Sequence, residues 1–188
     1  MSSALHFGPQ VPIIETSRLL LRPHRPDDFA DCAAMWADPG VTRHIGGKPF
    51  SPEEVWARML RYAGHWSWMG FGYWAIEEKA TGAFAGELGF ADYKRDIASI
   101  QNLPEMGWVL ASTMQGQGYA TEAVRAALVW GDARFESPRT VCIVDPENLS
   151  SIRVAEKCGY REFERTTYKG HPTIVFARQG KKPVHTEL

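Results

Sequence analysis

The run Gln115-Gly116-Gln117-Gly118-Tyr119-Ala120-Thr121-Glu122-Ala123 constrains this chain more than any other, because it must join two kinds of secondary structure within a few residues. Before it, Glu105-Met106-Gly107-Trp108-Val109-Leu110 alternates large apolar with small or polar residues behind Pro104, a period of two that suits a strand. After it, Ala120, Ala123, Val124, Ala127, Leu128, Gly131 and Phe135 recur at steps of three and four, which predicts a helix with one buried face. The run is therefore a strand-loop-helix junction. Its two glycines admit backbone conformations closed to other residues, and the first amides of the helix have no intrahelical acceptor. Such a turn is a cradle for an anion. A triphosphate-binding loop needs Lys-Ser/Thr after its last glycine, where this chain has Tyr119-Ala120. The dinucleotide fingerprint fails as well: no third glycine opens the helix, and no acidic residue ends a second strand at the right distance. Nucleoside triphosphates and nicotinamide cofactors are not the expected ligands.

A second pattern follows the β-branched run Thr140-Val141-Cys142-Ile143-Val144: Asn148-Leu149-Ser150-Ser151, then a short helix ending at Lys157-Cys158-Gly159-Tyr160. In order and spacing, Gln115-x-x-Gly118-x-Ala120 and this segment resemble two motifs of the GNAT superfamily of N-acetyltransferases. These are the pyrophosphate signature Gln/Arg-x-x-Gly-x-Gly/Ala and the Asn-x-x-Ser…Gly-Phe/Tyr segment. The opening Glu15-Thr16-Ser17-Arg18-Leu19-Leu20-Leu21-Arg22-Pro23, followed by Asp27-Asp28 and a helix, resembles the start of the RimJ/RimL-type branch. That branch includes ribosomal-protein N-terminal acetyltransferases. The resemblance runs from about residue 13 to about residue 178.

Size and composition agree with one domain spanning 1–188, with loose tails at both ends: 188 residues can bury a sizeable core without staples. The net charge of −1 with scattered basic residues offers no stripe for nucleic acid or an acidic membrane surface. Cys32, Cys142 and Cys158 lack the paired spacing of a zinc site and read as reduced thiols, and no metal is expected. No leader pattern and no long apolar run is present, so a soluble, cytoplasmic protein is expected, monomeric or homodimeric.

Along the chain, residues 18–22 read as a strand and Pro26 with Asp27 and Asp28 as a helix start; Phe29, Cys32, Ala33 and Trp36 form that helix's apolar face. Asp38-Pro39-Gly40 is expected to end it. Ser51-Pro52-Glu53-Glu54 starts a second helix, with Val55, Met59, Tyr62 and Trp66 inward. Between the two helices, residues 41–47 read as a loop. Residues 71–78 and 83–93 form a hairpin, and residues 162–168 and 173–178 a last one. The expected class is α+β: a mixed, mostly antiparallel sheet of about seven strands with about four helices. The resemblance implies the GNAT fold, with the fourth and fifth strands splayed apart and the first two helices and their linker walling the acceptor site.

The activity implied is transfer of an acetyl group from acetyl-CoA to a primary amine, a peptide or protein N-terminus or a small molecule, by direct attack on the thioester. The pyrophosphate of acetyl-CoA would lie on Gly116, Gln117, Gly118, Tyr119, Ala120 and Thr121, with Gln115 also among the cofactor-binding residues. A main-chain amide at Val109 or Leu110 would polarise the thioester carbonyl. Glu105 is the candidate base, its position matching an acidic residue of RimL-like sequences; the competing reading is a strand-edge carboxylate paired with a nearby arginine. Glu87 is the second candidate. Ser151 would hydrogen-bond or protonate the leaving sulfur and Asn148 would contact the pantetheine arm, unless Asn148 merely caps the helix. Tyr160, directly after Gly159, is expected to pack in the core. Trp66, Trp68, Trp74 and Trp108 read mostly as core, and His44 and His171 as surface or pocket-rim residues. An acyl-CoA-binding module without catalysis would use the same cradle, and Glu105 is the residue that separates the two.

Overall fold

The computed structural model describes residues 11–136 and 139–180. Among them one sheet of eight strands runs through the molecule: β1 (Ile14–Glu15), β2 (Leu19–Arg22), β3 (Tyr73–Glu78), β4 (Phe84–Ala91), β5 (Glu105–Leu110), β6 (Arg139–Val144), β7 (Arg161–Tyr168) and β8 (His171–Gln179). Their order across the sheet is β1-β2-β3-β4-β5-β6-β8-β7, and every neighbouring pair is antiparallel except β5 and β6. Five helices accompany it: α1 (Phe29–Ala37), α2 (Pro39–Thr42), α3 (Pro52–Met69), α4 (Tyr119–Arg134) and α5 (Leu149–Lys157). The α+β class and the mixed sheet agree with expectation.

Two additions explain the higher counts. The two residues of β1 pair with Leu20 and Leu21 and make the splayed strands the fifth and sixth. At Asp38-Pro39-Gly40 the first helix does end, but the same residues start another: Pro39 takes the first helical position, where its missing N–H costs nothing, and the Asp38 carboxylate accepts the Gly40 N–H at 2.7 Å. Ser51 caps α3 with a reciprocal Ser51–Glu54 box, and Gly70 closes it with φ at 69°. β2 begins one residue later than expected, because Arg18 turns away to another partner described below. The tails expected at either end lie mostly outside the described residues.

The sheet buries both faces. On one, Leu21, Ile76, Leu88, Phe90 and Met106 meet Ala123, Val124, Ala127 and Leu128 of α4, joined by Ala155 of α5 and by Tyr160. On the other, Cys32, Met35 and Trp36 of α1 and Val55 and Met59 of α3 close over Val109. Each such aliphatic side chain contributes about 1.5–3 kcal/mol when fully removed from water. None of the described helices is long and apolar enough to cross a membrane.

Candidate active site

The parallel pair β5–β6 is joined at one end only. Glu105 registers with Val141, whose N–H donates to the Pro104 carbonyl at 3.1 Å. Beyond that point β5 continues along β4 as far as Leu110, while β6 follows β8 as far as Val144. The two strands enclose a wedge that opens toward their carboxyl ends. Parallel strands linked by a crossover helix carry both following turns at the same end, so the β5–α4 and β6–α5 turns share the mouth.

Ladder alternation decides which main-chain groups face the wedge. Ala111 N–H donates to the Ala85 carbonyl at 3.0 Å, so in the register of β4 and β5 Val109 is the next residue bonded to β4. Leu110 and Trp108 turn the other way. Of the two residues expected to offer an oxyanion donor, Leu110 therefore presents its amide to the gap, and the Val109 amide belongs to the sheet. The Leu110 carbonyl accepts from Gln115 Nε2 at 3.1 Å, which fixes the turn against the strand end.

In that turn Gly116 and Gly118 have φ of 77° and 82°, the left-handed region that a Cβ disfavours. Gly118 is the N-cap of α4, and no side chain caps it. The first intrahelical bond runs from Glu122 N–H to the Gly118 carbonyl, so the amides of Tyr119, Ala120 and Thr121 precede the hydrogen-bonded ladder. With the positive end of the helix dipole behind them, they form an anion cradle. The Tyr119 side chain leaves it: its hydroxyl donates to Glu78 and its ring lies beneath Arg18.

Arg18 is a bracing residue that sequence reasoning missed. It donates to the Gln117 carbonyl at 3.0 Å and pairs with Glu122 at 2.6 Å. Burial raises the Glu122 carboxyl, but bonds from Thr16, the Arg18 side chain and backbone, and Ser17 outweigh it and bring it down to about 2. The turn between β1 and β2 thus holds the cradle from behind.

On the other side of the mouth, Asn148 caps α5, its Oδ1 accepting the Ser151 N–H at 3.0 Å. This is the capping alternative: the Asn148 carbonyl oxygen is spent on the helix. Ser151 stands in the first turn beside the wedge. Tyr160 is fully buried with its hydroxyl on Thr140 at 2.9 Å, as expected of a core residue. Trp66 and Trp74 are core and Trp108 packs against it, whereas Trp68 is 89 % exposed.

Glu105 takes the paired form of its two readings. Arg95 Nε and Nη2 bond its two oxygens at 2.5 and 2.7 Å, and the carboxylate lies at the closed apex of the wedge. Each oxygen accepts one bond from the Arg95 guanidinium, so the carboxylate is held in an ion pair at this position. Glu87 is fully buried and equally occupied, accepting from Trp36 Nε1 at 3.0 Å and Tyr62 OH at 2.5 Å, with His24 at 3.3 Å. Burial pushes its carboxyl up, yet His24, Tyr62 and the charge of Arg58 pull it below the ordinary range. His24, Cys32 and Glu87 offer ligand atoms within 4.8 Å of one another, with Trp36 and Tyr62 on one carboxylate oxygen and His24 and Cys32 on the other. All three cysteines are buried, and burial pushes their thiols up, which makes them poor nucleophiles.

A second juxtaposition escaped the sequence: His44, from the turn after α2, bonds Asp145 just beyond β6 at 3.0 Å. Residues 101 apart in the chain leave no local signal of such a pair.

Comparison with known proteins places this geometry. Residues 18–161 match the family model described as an acetyltransferase (GNAT) domain. A Bacillus subtilis protein, YkkB, is 34% identical over 110 residues, 58% of this chain and 62% of that protein, so the match spans less than two thirds of its length. An acetyltransferase structure from Agrobacterium tumefaciens superposes with a TM-score of 0.79 at 27% identity, covering 95% of this chain and 99% of that one. RimL, a ribosomal L7/L12 alpha-N-protein acetyltransferase, gives 0.72 at 17% identity over 90% of this chain and 98% of its own, a likeness of fold alone. The superfamily is thereby supported and the RimJ/RimL branch is not singled out. The wedge between β5 and β6, the glycine cradle at its mouth and the match over residues 18–161 together show that this chain belongs to the GNAT acetyltransferase family.

Proposed function

We propose that this protein transfers the acetyl group of acetyl-CoA to a primary amine, either a peptide or protein N-terminus or a small amine. The observation that carries the reading is the wedge of β5 and β6 with an uncapped helix N-terminus and two left-handed glycines at its mouth. An extended pantetheine arm fits between strands that have parted, and a pyrophosphate fits the Gly116–Gly118 turn and the first amides of α4. RimL, similar in fold, is described in complex with coenzyme A, which supports the same donor here.

In this arrangement the Leu110 amide faces the thioester carbonyl and stabilises charge developing on its oxygen. Ser151 stands by the leaving sulfur. A thiol with a pKa of about 8.5 leaves readily, whereas an alkyl amine near about 10.4 arrives protonated at neutral pH, so removing the amine proton is the harder task. Direct attack needs no covalent enzyme intermediate, in keeping with buried, raised thiols. Glu105, clasped by Arg95, serves better as an anchor of the wedge apex than as the base.

Calorimetry with acetyl-CoA, followed by a screen of amines and short peptides with thiol-release detection, tests the reading. Binding together with acceptor-dependent thiol release is expected. Absence of acetyl-CoA binding would overturn it.

A further inference from the structure

We propose that His44 is the base that takes the proton of the acceptor amine, with Asp145 holding its ring in the tautomer this requires. The proposal rests on the acetyl-transfer reading above. The tautomer follows from the partners. An arginine Nε–H can only donate, and Arg43 Nε lies 3.1 Å from His44 Nε2, so Nε2 is the acceptor nitrogen. The ring hydrogen then sits on Nδ1 and is donated to Asp145 Oδ2 at 3.0 Å. A carboxylate on one imidazole nitrogen and a lone pair on the other, held here by Arg43, is the arrangement that makes histidine a general base once that donor gives way. Arg43 is exposed, and an amine N–H can replace its N–H at the same lone pair.

Position points the same way. Asp38 at the start of α2 accepts from Ser112 Oγ, just past the end of β5, at 2.5 Å, and His44 reaches Asp145, just past the end of β6. Residues 38–44 therefore bridge the mouth from one parted strand to the other. His44 hangs from the β6 end of this bridge, on the side where α5 brings Ser151. The imidazole is 14% exposed, enough to be reached from the mouth.

The protons balance as follows. The acceptor R–NH3+ gives one proton to His44 Nε2, and the freed lone pair forms the C–N bond while the carbonyl π pair moves to oxygen opposite the Leu110 amide. That pair returns, the C–S bond breaks with its electrons on sulfur, and the second proton lost from nitrogen reaches the thiolate through Ser151 or water. His44 releases its proton to solvent. Arg43 from its own turn and Asp145 from the β6–α5 turn contact the imidazole directly, and His171 at the start of β8 acts on Asp145.

The test uses the full chain as His44→Ala and Asp145→Asn. With an acceptor from the screen, His44→Ala should lose about 10²–10⁴-fold in kcat/KM at pH 7 while its Kd for acetyl-CoA stays within about twofold. The deficit should shrink as pH rises, because more amine arrives neutral, and added imidazole should restore part of the rate. In the free parent protein at pH 8, nitrogen NMR should show His44 Nε2 unprotonated, and Asp145→Asn should alter that tautomer. A parent-like rate and pH profile in His44→Ala would remove this proposal and leave acetyl transfer standing. So would a protonated Nε2 in the parent at pH 8. If acetyl-CoA binds but no acceptor is turned over, the acetyl-transfer reading falls and His44 as base falls with it.

Discussion

Replacing Gly118 by valine separates the cradle's part in binding from its part in folding. Gly118 sits at φ 82°, and a Cβ built there meets only Arg18 Nη2 at 3.6 Å, an ordinary contact. The folded protein alone therefore suffers the left-handed strain of an L-residue, about 1–2 kcal/mol, without a clash. For a domain of this size that lowers Tm by roughly 2–8 °C. A bound pyrophosphate loses more, because the branched side chain stands where the anion must approach. If two amide contacts to the anion are lost, each worth about 1.5–3 kcal/mol, Kd rises by about two to four powers of ten. Gly82 supplies the control: its φ is 72°, a Cβ there meets nothing within 4 Å, and it lies in the β3–β4 turn. Gly82→Val should thus carry similar strain with parent affinity. Calorimetry with acetyl-CoA and thermal melts on both variants decide. Parent affinity in Gly118→Val refutes the cradle, and equal loss of affinity in Gly82→Val traces the effect to a weakened fold.

Other consequences are as direct. Glu105→Gln strands Arg95 in a largely buried site and should cost about 3 kcal/mol in urea unfolding, with kcat of the folded enzyme within about tenfold of the parent; a fall of about 10²–10⁴-fold in kcat at intact stability would instead make Glu105 the base. Glu122 has its folded pKa at about 2 against an ordinary 4.5, so it stabilises the fold above pH 4.5 and that contribution drains away as pH falls toward 2. Acid unfolding of Glu122→Gln should be correspondingly flatter over this window, and an unchanged acid limb would show that the four donors on Glu122 do not matter. Gly107→Ala places a Cβ at 2.0 Å from the Tyr73 hydroxyl and should lower Tm markedly, whereas an unshifted melt would mean that Tyr73 swings aside freely.

What could be read from the chain was whatever one stretch of residues encodes by itself. Ser51-Pro52-Glu53-Glu54 names a cap and an acidic first turn in four consecutive residues, and the cap forms. The alternation of 105–110 and the three-and-four spacing after Gly118 each report which side of an element meets the core, and both elements stand where that spacing put them. Asp38-Pro39-Gly40 shows where this kind of reading runs short: the same residues stop one helix and start another, with Asp38 capping the second and Ser112, far away in the chain, bonding its other oxygen.

The site exposes the same divide more sharply. A motif can say that a carboxylate stands at the head of β5, but whether that carboxylate is a base depends on what lies across from it, and Arg95 arrives from the β4–β5 connection without any periodicity to announce it. Asn148 is similar, since its oxygen serves either a ligand or the Ser151 amide, and only the backbone angle at the start of α5 selects the amide. His44 and Asp145 are each unremarkable alone, a loop histidine and a turn aspartate 101 residues apart. They become a proton acceptor only because α2, which the sequence concealed behind a helix stop, carries the chain across the mouth of the wedge. In a fold whose reacting atoms lie between two parted strands, the residues that can reach them must come from segments that bridge the gap, and those are the segments that local patterning describes least.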